Sequence, residues 1–169
     1  LKKALETYWK GQSGAEQLLA SAREIRTNNW LLQQKTGIDL IPAGDFALYD
    51  HILDMTALLG AIPQRFGHTG GPVSSDLYFA MARGTDDQPA MEMTKWFNTN
   101  YHYIVPEFDH TTQFHLASDR LFQEIAEAKA LGITAKAVLV GPLTYLYLGK
   151  ETVTDFQRLD LLPRLLPVY

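Results

Sequence analysis

The chain has 169 residues, 46% hydrophobic and 20% charged, enough for one ordinary domain or part of a larger one, and this balance argues against disorder. A net charge of −4 supplies no overall basic field, so neither nucleic acid nor a membrane surface is an expected partner. The absence of cysteine excludes a disulfide, a thiol nucleophile and a thiolate zinc site within this chain, and mildly favours a reducing compartment.

The first ten residues place apolar side chains at positions 1, 4, 5, 8 and 9, which is helical spacing. Their charge and amphipathic pattern do not read as a secretory segment. Ser13, with Glu16 three residues on, reads as a capping box opening a helix over 14–35. Leu18, Leu19, Ala22, Ile25, Trp30 and Leu31 would face inward, and Gly37 would end it. Residues 38–42 read as a buried strand followed by the Ala43-Gly44-Asp45-Phe46 loop, and 49–59 as a helix. Residues 60–72 and 84–89 are broken by Gly and Pro. Ser74 and Ser75 can cap a helix through Tyr78–Ala82.

A second strand is expected over 101–105, a helix over 118–131 with Gly132 past its end, a third strand over 137–140 and a last helix from 156 to 166. The longest apolar runs, such as 137–140, fall far short of the roughly 20 residues that span a bilayer. The chain lacks an initiator Met, opens inside a helical pattern and stops before the last one reaches a polar ending, so a fragment of a longer polypeptide is expected. Strand–loop–helix units in series, with runs buried on both faces, predict a parallel α/β fold. No G-x-G-x-x-G or phosphate loop is present. An incomplete (β/α)₈ barrel therefore fits better than a dinucleotide-binding sheet, a full barrel taking about 250 residues.

The densest chemistry lies in the thirteen residues Met91-Glu92-Met93-Thr94-Lys95-Trp96-Phe97-Asn98-Thr99-Asn100-Tyr101-His102-Tyr103. Aromatic rings, two side-chain amides, a lysine and a histidine are packed together there. Buried polar atoms without partners cost on the order of 1–3 kcal/mol each, so a core would not be filled this way. Lys95 can meet a ligand bearing several carboxylates, or pair with Glu92 on the same turn. Asn98 and Asn100 share a face with His102 if the backbone is extended; the other reading is an Asn-favoured turn. A lone His102 is either an acid/base or metal-ligating group or a hydrogen-bonded structural residue. Asp45 suits a site after the first strand or an N-cap, and Asp50-His51 reads as a solvated or capping pair. Lys2 and Lys3 form a wet helix face by composition. There is no H-E-x-x-H and no nucleophile elbow. The residues alone give a binding surface and no catalytic machinery.

Several stretches resemble the N-terminal domain of the cobalamin-independent methionine synthases. They are Leu1-Lys2-Lys3-Ala4-Leu5-Glu6 with Tyr8-Trp9, Phe46-Ala47-Leu48-Tyr49-Asp50, Leu59-Gly60-Ala61-Ile62-Pro63, Met81-Ala82-Arg83-Gly84, the thirteen residues above, and Val140-Gly141-Pro142-Leu143-Thr144-Tyr145. The resemblance implies a parent enzyme of two (β/α)₈ barrels, with residues 1–169 forming roughly the first half of the N-terminal barrel. The C-terminal zinc barrel, with its His, Cys, Glu and Cys ligands, homocysteine site and most of the folate site, would lie outside this chain. The implied reaction is methyl transfer from 5-methyltetrahydropteroyltri-L-glutamate to L-homocysteine, giving L-methionine in the cytoplasm. Zinc would be a cofactor of the parent, with none bound by this chain. Lys2 matches the lysine closing the family's Arg-Glu-Leu-Lys motif, and Lys95 and Asn100 match its contacts to the folate's glutamate tail. The rival expectations are a structural half-barrel that supports the interdomain cleft without touching ligand, and an independent α/β enzyme for another anionic small molecule.

Overall fold

The apolar spacing of the opening residues folds as expected: α1 spans Lys2–Trp9 and α2 Ala15–Lys35, then β1 Ile41–Ala43, α3 His51–Leu58 and α4 Ser75–Arg83. The chain continues through β2 Met93–Lys95, β3 His102–Ile104, β4 Glu107–Phe108, α5 Arg120–Ala130 and β5 Ala135–Ala137. It closes with α6 Pro142–Tyr147, β6 Lys150–Glu151 and α7 Leu162–Leu165. This computed structural model describes all of residues 1–169. The molecule is an α/β protein with three two-stranded sheets, β1–β5 and β4–β6 parallel and β2–β3 antiparallel. It divides into two units, Leu1–Leu48 with Leu121–Val138, and Tyr49–Arg120 with Leu139–Tyr169.

In the first unit β1 and β5 pair in the register Ile41↔Ala135 to Ala43↔Ala137. Their core gathers Trp30, Ile41, Ala43, Ala128 and Ile133. Trp30 lies on the i+4 row of α2 that also buries Leu18, Ala22 and Arg26. Its indole N–H donates to the Pro42 carbonyl at 3.0 Å, tying helix to strand. Leu19 and Leu31, expected inside, are exposed because they fall one step off that row. The buried Arg26 guanidinium meets Glu127 at 2.8 Å. Burial pushes Glu127 up, but Arg26 and Arg23 outweigh it and hold the carboxyl below its ordinary value. Gly44 follows β1 at φ +89, where a Cβ would meet Leu121 Cδ1 at 2.6 Å and the Val138 carbonyl at 2.9 Å.

The second unit packs Ile52, Met55 and Leu59 of the α3 region against Tyr103, Val105, Phe108, Tyr145, Leu146, Leu161 and Leu165. Its buried hydroxyls are satisfied: Tyr145 shares a 2.9 Å bond with Thr56, and Tyr103 donates to the Leu148 carbonyl at 3.0 Å. Ser74 caps α4 as predicted, accepting the Leu77 N–H at 3.2 Å.

Five expectations are corrected. Ser13 does not cap α2, whose N-cap is Gly14 with no side-chain bond. The strands expected over 38–42 and 137–140 sit at 41–43 and 135–137, and Ile38, Leu40, Val138 and Leu139 are exposed. A strand with one partner does not bury an apolar run on both faces. The second strand belongs to an antiparallel hairpin, whose first strand the sequence did not signal. The helix expected over 156–166 is instead a 3₁₀ turn at Arg158–Leu161, the short α7 and a 3₁₀ turn at Leu166–Val168. Pro163 and Pro167 lack the N–H groups that a continuous helix would use.

Candidate functional site

The polar segment folds as the β2–β3 hairpin, in the register Met93↔Ile104, Thr94↔Tyr103 and Lys95↔His102. Trp96 N–H donates to the Tyr101 carbonyl at 2.7 Å and narrows the connection to residues 97–100. Thr99 fastens that loop from within. Its hydroxyl and N–H donate to the Trp96 carbonyl at 2.6 and 3.1 Å, and its Oγ1 accepts the Tyr101 N–H at 3.2 Å. Phe97 adopts φ +48, a left-handed conformation that strains a bulky residue by about 1–3 kcal/mol. Trp96 anchors the base of the loop against the second unit's core, its ring edge-on to Phe97 and Tyr103 at 5.4 and 6.0 Å and tilted to His51 at 5.1 Å.

Asp50 fixes the hairpin to the start of α3. Its buried carboxylate accepts the N–H groups of Ile52 (3.1 Å) and Leu53 (2.8 Å) as the helix N-cap. It also accepts the Ile104 N–H of β3 at 3.0 Å and the Tyr101 hydroxyl at 3.2 Å. The phenol has one proton, so donating it to Asp50 leaves His51 Nδ1 as donor in their 2.6 Å bond. Burial first, and then the Asp50 charge, push the Tyr101 hydroxyl up to about 12. Of the pair read from sequence as solvated or capping, Asp50 is therefore a buried cap shared with a strand, and His51 is half-buried beside Tyr101.

On this framework Lys95 is exposed and has no acidic partner. Glu92, the alternative partner for it, is taken by Lys150 at 3.0 Å. Lys150 also lies 3.9 Å from Glu107, which Arg65 grips through two bonds of 2.9 and 3.1 Å. Asn98 and Asn100 are exposed in the loop, their side-chain amides unbonded. They do not share a strand face with His102 as extended backbone would require, because residues 96–100 turn. His102 Nδ1 lies 2.9 Å from the Asn100 carbonyl, which can only accept, so that nitrogen carries the proton.

Lys2 opens α1 in the first unit with a side chain 89% exposed and a 3.9 Å approach to Glu6, a pair worth little. Asp45 does not cap a helix. It lines a cleft of about 250 Å³ in the first unit with Arg26, Asn29 and Gln33. A second cleft, of about 310 Å³, lies in the second unit between Arg65, Glu107, Asp109 and His115. Its charged groups are already engaged: Arg65 holds Glu107, and Asp109 accepts the Thr111 N–H and hydroxyl at 2.8 and 2.6 Å. Partial burial raises the Asp109 carboxyl, but the Thr111 and Thr112 bonds outweigh it and bring it below its ordinary value. No three His, Asp or Glu side chains gather to hold a metal ion, and no helix is long and apolar enough to cross a membrane.

The sequence singled out Lys95 and Asn100, but the Asp50–Tyr101–His51 anchor and the strained Phe97 were not recognised. The anchor joins residues about fifty positions apart, which leaves no local pattern. Phe97 gave one faint signal, an apolar ring at the start of an Asn-rich turn.

The family model for the cobalamin-independent synthase N-terminal domain matches residues 1–169. A 5-methyltetrahydropteroyltriglutamate–homocysteine methyltransferase of Nitrosomonas europaea is 84% identical over 169 residues, covering all of this chain and 22% of that protein. Proteins of the same name from Syntrophotalea carbinolica and Acidithiobacillus ferrooxidans are 58% and 50% identical, again over the whole chain and over 23% and 25% of their own lengths. The chain thus spans about a quarter of the curated relatives it matches. It belongs to the cobalamin-independent synthase family, matching within that family's N-terminal domain.

Proposed function

We propose that this chain is the N-terminal part of an enzyme that moves a methyl group from 5-methyltetrahydropteroyltri-L-glutamate to L-homocysteine, making L-methionine in the cytoplasm. Its own task is to hold the glutamate tail of the folate, and it is not catalytic alone. The observation that carries this is the state of Lys95: an exposed ammonium with no carboxylate to neutralise it, on a hairpin that also exposes the unbonded amide of Asn100 and is fastened at its base. A triglutamate tail offers several carboxylates, and a charge-assisted bond to each contributes about 1.5–3 kcal/mol. Lys95 supplies the charge and Asn100 the directional N–H donors. Lys2, exposed and weakly paired on α1, is a further proposed tail contact.

The proposed architecture is an incomplete (β/α)₈ barrel, about the first half of the parent's N-terminal barrel. The parallel β1–β5 and β4–β6 pairs support it, as do the exposed Ile38, Leu40, Val138 and Leu139, apolar side chains that further strands would cover. The residues present do not fit the zinc of the implied reaction: there is no cysteine and no cluster of three ligating side chains. Zinc, homocysteine and the reacting end of the folate are therefore assigned to the remainder of the parent.

Substituting Lys95→Ala in the full-length enzyme should raise KM for the triglutamate folate about tenfold and lower kcat by less, the pattern for a contact made equally in ground and transition states. An unchanged KM would contradict the tail contact.

A further inference from the structure

Phe97 is expensive to keep where it is. Its backbone is held at φ +48, its ring is 62% exposed, and the Thr99 bonds that shape the loop use no atom of its side chain. Packing does not account for it, since Trp96 alone carries the loop onto the core. Glycine would adopt this conformation without strain. An exposed aromatic ring kept in a conformation that disfavours it indicates a role outside the fold, because observed strain persists where function uses it.

The neighbours narrow that role. Lys95 precedes the Trp96–Phe97 pair, Asn98 and Asn100 follow it, and all three polar side chains are exposed and unpaired. A γ-linked glutamate chain alternates carboxylates with two-carbon spacers and flat amides. Donors such as Lys95 and Asn100 suit the carboxylates and leave the spacers without a partner. An aromatic face is the complementary surface for methylenes and a planar amide. Edge-on contact with Trp96 at 5.4 Å holds the Phe97 ring in a defined attitude.

We propose that Phe97 is a substrate-binding residue that packs on the spacer between glutamyl carboxylates, so that the hairpin reads the length of a poly-γ-glutamate and not only its charge. This rests on the tail-binding reading of Lys95 and Asn100. The test uses the full-length enzyme with Phe97→Gly, Phe97→Tyr and Lys95→Ala. Glycine relieves the strain while adding freedom to the unfolded chain, two effects that roughly cancel. Phe97→Gly should therefore raise KM for the triglutamate folate about fivefold to tenfold while the melting temperature stays within about two degrees of the parent's. Phe97→Tyr, which keeps the ring, should restore KM to within about twofold of the parent's.

An unchanged KM in Phe97→Gly, or a rise accompanied by a large fall in melting temperature, would overturn the proposal. So would a Phe97→Tyr variant as impaired as the glycine one. If Lys95→Ala raises KM and Phe97→Gly does not, the ring has no part and the tail site stands. If neither does, the tail reading fails with it.

Discussion

Asp50 shows how much one side chain can hold. Its two oxygens accept the N–H groups of the buried Ile52, Leu53 and Ile104 and the phenol of the more exposed Tyr101, and those donors belong to a helix start and to a strand and tyrosine some fifty residues further on. Removing the carboxylate strands the three buried backbone N–H groups, so the loss exceeds that of an ordinary cap. Asp50→Ala is expected to destabilise the protein by about 2–4 kcal/mol, seen as a lower denaturant midpoint. Asp50→Asn, which keeps one acceptor oxygen, should lose about half as much; losses equal to those of Asp50→Ala would show that the retained oxygen contributes nothing. Lys95 is the opposite case. Nothing in the fold uses its charge, and it stood out in the sequence as the one cation in a run of amides and aromatic rings. The residues that position it were not legible, because a buried carboxylate reveals its partners only once distant segments meet.

At the scale of elements, helices were readable and strands much less so. The end of α2 at Lys35 and the Ser74 cap of α4 follow from local rules, a C-terminal glycine and a hydroxyl at the N-cap. The Ser13 capping box failed because Gly14 begins the helix one residue later and leaves the hydroxyl outside it. Strands slipped by two or three residues because apolar runs such as 137–140 mark affinity for a covered sheet, whereas pairing depends on the partner available. β5 has one, and the ladder stops where β1 does. The turn after β1 is tightly specified. Gly44 sits at positive φ with the Val138 carbonyl 2.9 Å from any Cβ built on it, and its N–H donates to the buried Glu124 at 3.2 Å. Gly44→Ala should therefore cost about 1–3 kcal/mol, from backbone strain and from the clash. A denaturant midpoint equal to the parent's would show that the turn relaxes freely.

For the whole molecule, the sequence conveyed family better than architecture. The thirteen-residue segment and the 140–145 stretch carried the resemblance that the family match bears out over residues 1–169. The α/β class was legible from alternating patterns; the hairpin, being antiparallel and mostly polar, was not. The central claim is that this domain recognises the tail of its substrate by charge, and it is tested by titrating the full-length enzyme with mono- and triglutamate forms of the folate, in the parent and in Lys95→Ala, Asn100→Ala and the double variant. The account predicts that the parent binds the triglutamate more tightly, and that the preference shrinks in each variant and falls most in the double. Equal affinity of the parent for the two folates, or a preference that survives the double substitution intact, would contradict it.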